Sequence, residues 1–284
     1  MTGAIYEPLR FGVENYVPIS SLTSNPEPVT DLEWLKDEWR ANIVRYTDPS
    51  TDIVIEGTLE SPQIGEYFAL PGSNLVGLAR IRLELFTAVD STTDILNMDA
   101  AQVAPLTPLG QWRSGIDQYG VPRQVDTPGV FVYWFPKALP FAKWRLTISH
   151  TNDAIALATD VRLRMFMIGG KLQLKKSFSW GSRLRELTEP QLLTTASGSN
   201  VPSGRQVKSR AMVLDLKSMD DNDRMALSNM ESVLNGAPFV VSAYPGGKSQ
   251  RFNRYSFLGR FSNALEYTHN FHDANSSTLT IVEV

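Results

Sequence analysis

ARIRLELF (Ala79–Phe86) alternates without a break: Ile81, Leu83 and Leu85 fall on one face, Arg80, Arg82 and Glu84 on the other. A period of two is that of a β-strand with one buried face. The same texture recurs outward from it. FVYWF (Phe131–Phe135) is apolar throughout and bounded by Pro128-Gly129 and Pro136, which predicts a strand buried on both faces. WRLTISH (Trp144–His150) sets Trp144, Leu146 and Ile148 together, and VRLRMFMI (Val161–Ile168) sets Val161, Leu163, Met165 and Met167 together. Pro- and Gly-rich connections separate these runs. That spacing predicts an antiparallel sandwich or jelly roll rather than alternating strand–helix units.

Two segments carry a helical period. In TDLEWLKDEWRANIV (Thr30–Val44), Leu32, Leu35, Trp39 and Ile43 lie on one stripe, with Thr30 as cap and Glu33 three residues on. In the second, Ser218 precedes a run with Asp220, Asp221 and Asp223 at its start, which suits the positive end of a helix dipole. Leu227, Met230 and Leu234 form its buried stripe, and Gly236 supplies a left-handed end. Strands are expected again at PFVVSAY (Pro238–Tyr244), RYSFLGRF (Arg254–Phe261) and STLTIVEV (Ser277–Val284). The expected organisation is mainly β: a β-sandwich over 1–168, then a smaller β domain over 169–284 with one helix near 219–235. Between them in texture, Thr188–Ser209 is polar, rich in turn residues and without periodicity, and reads as a long loop.

Composition narrows the chemistry. The 284 residues contain no cysteine and three histidines, so disulfides, thiolate metal sites and a cysteine nucleophile are excluded. The first residues lack a basic and apolar leader pattern, and no apolar run approaches the ~18 residues of a membrane span. His269, His272 and Asp273 stand close in sequence, but a zinc site needs three or four converging ligands and His150 is the one other histidine. MDDNDR (Met219–Arg224) lacks the spacing of a calcium loop, and Pro245-Gly246-Gly247-Lys248 is a turn with no helix signal after it. No nucleophile elbow, P-loop or dinucleotide fingerprint occurs.

Three groups of residues remain as candidates. The first is charge. Residues 1–160 hold 11 basic and 20 acidic side chains, whereas residues 161–185 hold seven basic and none acidic: Arg162, Arg164, Lys171, Lys175, Lys176, Arg183 and Arg185. Such a block reads either as a contact surface for an acidic partner, including a second copy, or as a solvated strand face. The second is aromatic: Trp134 and Trp144 read as strand core, while Trp112 and Tyr119 lie in a polar loop and could stack on a sugar or a partner. The third is a carboxylate pair of hydrolase type among Glu56, Glu60, Glu66, Asp90, Asp94, Asp99, Asp117 and Asp126.

Certain motifs also carry a resemblance. MFMIGG (Met165–Gly170) leads to FSWG (Phe178–Gly181); MVLDL (Met212–Leu216) leads to the capped helix and NGAPFVVSAYP (Asn235–Pro245); YSFLGRF (Tyr255–Phe261) and IVEV (Ile281–Val284) follow. This order resembles the distal tail and baseplate-ring proteins of long-tailed bacteriophages. SNLVGLARIRLELF (Ser73–Phe86) is similar to the discoidin or galactose-binding-like module that precedes that domain in some tail proteins. The resemblance implies a non-enzymatic virion protein without cofactor, made in the host cytoplasm. It implies a ring of identical copies, commonly six, joining the tail tube protein to the baseplate hub and fibre proteins. DNA would cross the channel without being stably bound, and no part would insert in a membrane. Under that reading the seven basic residues are the candidate inter-subunit contacts and the 188–209 segment an arm to a neighbour. The alternative is a carbohydrate-binding, receptor-recognising tail protein with Trp112 and Tyr119 as its platform.

Overall fold

The computed structural model describes residues 8–37, 42–47, 51–75, 79–89, 94–102, 130–150, 160–176, 178–179, 182–189, 192–194, 200–202, 207–245, 255–271 and 274–284. The chain is mainly β, with one α-helix among the described residues. Its spine is a ladder of two long antiparallel strands, β4 (Ile53–Pro71) and β7 (Val130–His150). β2 (Ser21–Asn25) flanks β4; β5 (Ala79–Phe86) and β6 (Asp94–Gln102) continue the sheet beyond β7; β9 (Met167–Gly169) also joins β4. The β4–β7 register slips between Thr58 and Gln63 and again between Gly65 and Tyr67. Bulges of this kind bend a strand and let it pass from one layer of a sandwich to another.

β5 forms as the alternation predicts. Ile81, Leu83 and Leu85 are fully buried, and Arg80 and Arg82 are exposed. Trp144, Leu146 and Ile148 of β7 fill the same core, beside Phe68, Leu70 and Phe141. The apolar run Phe131–Phe135 is indeed covered on both faces. Val132 and Trp134 join Tyr67 and Ala69 in a second core, whereas Phe131, Tyr133 and Phe135 lie against the first. One strand pair thus serves two cores, and this explains why neither face is polar.

The second core belongs to an antiparallel sheet ordered β10 (Lys171–Gln173), β1 (Arg10–Gly12), β15 (Phe239–Ser242), β16 (Ser256–Phe261), β18 (Ala274–Glu283), β14 (Val207–Met219) and β11 (Arg183–Glu189), with β17 (Thr268–Phe271) paired to β18. β1 lies between β10 and β15, so the chain visits this sheet before it builds the sandwich and returns to it afterwards. The two sheets meet where residues 13–16 run beside β9. Val13 donates to the Gly170 carbonyl at 3.0 Å, Tyr16 to the Ile168 carbonyl at 2.8 Å, and the Tyr67 hydroxyl to the Glu14 carbonyl at 2.9 Å. A β-carbon at Gly169 would stand 2.0 Å from that same carbonyl oxygen, so this closeness of two backbones requires glycine.

Three local expectations are corrected. Residues 161–168 are not one strand: β8 (Asp160–Leu163) ends, three residues cross over, and β9 follows. Val161 and Leu163 enter the first core, Met165 and Met167 the second. The 30–44 segment forms a short 3₁₀ turn, Leu32–Lys36, capped by Asp31 rather than Thr30. The Thr30 hydroxyl instead bonds the Ile43 carbonyl at 3.0 Å and accepts from the Arg45 amide at 2.8 Å. That ties it to β3 (Val44–Thr47), which pairs with β8; Trp39 lies outside the described residues. The second helix, α1 (Asp221–Leu234), is capped by Asp220, which accepts from the Asp223 amide at 2.7 Å, because β14 extends through Met219. Its far end turns left-handed at Asn235 (φ 44°) and Gly236 (φ 84°), and Leu227, Met230 and Leu234 are buried as expected.

Candidate functional site

The described residues of the segment read as a polar loop are strand. β11 pairs with β14 from Arg183↔Val213 to Glu189↔Val207, and β14 joins β18 from Ala211 onward. The pairs Glu186↔Arg210, Leu187↔Ser209, Thr188↔Lys208 and Glu189↔Val207 therefore lie past the point where β18 pairs with β14. Separately, β12 (Leu192–Thr194) pairs with β13 (Asn200–Pro202). β11 and β14 form a two-stranded arm past the end of β18, about 10 Å from Glu186 to Glu189 at ~3.3 Å per residue. A lone ribbon is at best marginally stable in water.

The root of the arm is fixed. Arg210, 6% exposed, forms a two-pronged ion pair with Glu283, 11% exposed, with Nε to Oε2 at 2.9 Å and Nη2 to Oε1. The Arg210 amide donates to the same carboxylate at 2.9 Å, and its guanidinium lies 5.1 Å from the Phe257 ring. Planar, doubly hydrogen-bonded pairing sets direction as well as attraction.

The seven basic residues do not gather into one patch. Arg162 shares Asp160 with Arg45, both at 2.6 Å, and these two hydrogen bonds hold the Asp160 carboxyl below its usual range. Arg164 donates to the Val284 carbonyl at 3.2 Å. Lys171 pairs with Glu66 at 3.7 Å on the edge strand β10, and Lys175 pairs with the helix cap Asp220. Lys176 is exposed beside it and also engaged. Arg183 and Arg185 differ. They are exposed, alternate with half-buried Leu184 on β11, and make no ion pair among the described residues. Among the described residues, β11 is hydrogen-bonded to β14 alone.

Trp112 and Tyr119 lie outside the described residues, in the connection between Gln102 and Val130. Trp134 and Trp144 are core, as expected: 8% and 0% exposed, stacked on Tyr67 at 5.4 Å and Phe166 at 4.7 Å. Of the carboxylates weighed for hydrolysis, Glu56 is held by Lys143 at 3.1 Å and Arg145 at 2.5 Å, and Glu66 by Lys171. Asp90, Asp117 and Asp126 lie outside the described residues. His269 sits exposed in β17 opposite Asn275; His272 and Asp273 lie outside the described residues.

No family model matches the chain, and no curated protein matches it. Among solved structures, the chain is similar to chitosan-binding module 1 of a Paenibacillus sp. IK-5 chitosanase/glucanase, at 12% identity and a TM-score of 0.36, over 55% of this chain and 99% of that one. It is similar to CpGH89CBM32-5 from Clostridium perfringens, in complex with GalNAc-β-1,3-galactose, at 8% identity and a TM-score of 0.36, over 54% and 99%. The family 32 module of C. perfringens NanJ, in complex with galactose, matches at 8% identity and a TM-score of 0.36, over 57% and 99%. The likeness is one of fold.

Proposed function

We propose that this chain is a non-enzymatic building block of a long-tailed phage tail tip, assembling head to tail into a closed ring around the channel. The observation that supports it most is the arm. A ribbon projecting past the end of β18, clamped at its root by Arg210 and Glu283, is suited to reach a neighbouring copy. Tyr67, Ala69, Val132 and Trp134 of the β4–β7 ladder enter the core of the second sheet, which suits the packed two-layer unit that a ring requires. The sandwich would face the fibre proteins or other tail neighbours, while the sheet carrying the arm builds the collar between tail tube and hub. Antibody labelling of virions of the encoding phage should mark the tail tip, and mass spectrometry of those virions should detect the chain. Virions without it would contradict the assignment.

A second reading follows from the 27 residues between β6 and β7 that contain Trp112 and Tyr119. A connection of that length between two strands is a common place for a binding platform. In this reading the chain recognises a host glycan. Binding to host polysaccharide that is lost in Trp112→Ala would favour it; absence of binding at high protein concentration would count against it.

A further inference from the structure

At the C-terminal end of α1 lies a hollow of about 310 Å³, lined by Glu231, Leu234, Gly236, Phe261 and Asn263 among others. The last turn of α1 contains no basic residue. Its terminal carbonyls, which bear the helix's partial negative charge, therefore stand beside a carboxylate instead of a cation. Glu231 makes no ion pair among the described residues. Burial, and next the Glu231 charge, push the Tyr267 hydroxyl up to about 12. Lys or Arg near this end would interact favourably with those carbonyls, and among the described residues no basic side chain lines the hollow.

The complementary group sits across the sheet. Arg183 and Arg185 are exposed on β11, whose outer edge has no strand partner among the described residues. From β11 to β15, the strand that α1 leads into, there are four strand spacings, or about 19 Å. The two features lie on different parts of the surface, so one copy cannot satisfy both from within. A contact between unlike patches is head to tail, and a suitable rotation closes it into a ring.

We propose that Arg183 and Arg185 on the β11 edge of one copy dock at the Glu231 hollow of the next, at the C-terminal end of α1. The occupant is a second copy of this chain, and the inference rests on the ring reading above. β11 is also the base of the arm, so the same approach lays the arm along the neighbour. One guanidinium enters beside Leu234 and Phe261 and donates to the Glu231 carboxylate and to the last helix carbonyls; the other lies at the rim.

Charge reversal of the full-length chain tests the pairing, with assembly read by sedimentation velocity and folding checked by circular dichroism. Arg183→Glu combined with Arg185→Glu should weaken assembly at least tenfold in the concentration at half-association. Glu231→Arg should do the same, and the three changes together should restore most of it. All positions are exposed or half-buried, so the variants should keep the wild-type spectrum. Assembly unchanged in both reversals, or a folded triple variant that stays dissociated, would overturn the pairing while leaving the ring reading in place. A wild-type chain that is monomeric throughout would overturn both.

Discussion

Arg210 and Glu283 close the second sheet with a buried, two-pronged ion pair, placed where β14 leaves β18 and becomes one strand of the arm. Removing one partner strands the other charge out of water. Glu283→Ala should therefore destabilise the chain by about 3 kcal/mol in urea unfolding. Replacing both with apolar residues, Arg210→Met with Glu283→Leu, should recover most of that loss. A single substitution within ~0.5 kcal/mol of wild type would show that the pair does not hold the arm's root.

Glu56 makes the sandwich sensitive to acid. Partial burial tends to raise its pKa, but hydrogen bonds from Arg145 and Lys143 outweigh it and hold the carboxyl below its ordinary value of 4.5. A folded-state value below the unfolded one contributes stability that is complete above pH 4.5. That contribution is lost as pH falls through the lowered folded value. The thermal midpoint should drop more steeply between pH 5 and pH 3 in wild type than in Glu56→Gln. Parallel curves would contradict the coupling.

Asp223 should behave in the opposite sense. Burial in the first turn of α1 raises its carboxyl above the ordinary range, against hydrogen bonding from the Lys175 amide. The folded state therefore binds its proton more tightly, and the associated stability is present at low pH and lost as pH rises through the raised value. Asp223→Asn can still accept from the Lys175 amide, and it should be at least as stable as wild type at pH 7. A clear loss at pH 7 would show that the charge itself is required.

Gly169→Ala should damage the joint between the sheets, because the new methyl meets the Glu14 carbonyl oxygen rather than a movable side chain. A cost of about 2 to 3 kcal/mol is expected in urea unfolding. Gly236→Ala meets nothing within 4 Å and is penalised by its φ of 84° alone, so about 1 kcal/mol is expected there. Equal effects at the two positions would argue against a tight joint at Gly169.

The elements legible in the sequence were those with one core to face. β5 and the 144–150 part of β7 alternate cleanly because each buries a single side. The 131–135 run announced burial on both sides, but not that its second neighbour is a sheet built mainly from the last hundred residues. Residues 161–168 read as one strand because Val161, Leu163, Met165 and Met167 keep the period while switching cores. The 30–44 helix failed where Thr30 bonds β3 rather than a helix start. The arm left no apolar period in the sequence. The basic block is contiguous in sequence only: its residues fall on both edges of the second sheet, on the helix cap and on β8. Of the seven, Arg183 and Arg185 alone stay unpaired among the described residues.

The central claim is assembly through the arm, and native mass spectrometry of the full-length chain measures it most directly, beside a variant in which residues 188–209 are replaced by a short turn. A closed ring for the wild type and a folded monomer for the shortened chain is the predicted outcome. A wild type that remains a monomer at every concentration, or a ring that survives loss of the arm, would contradict it.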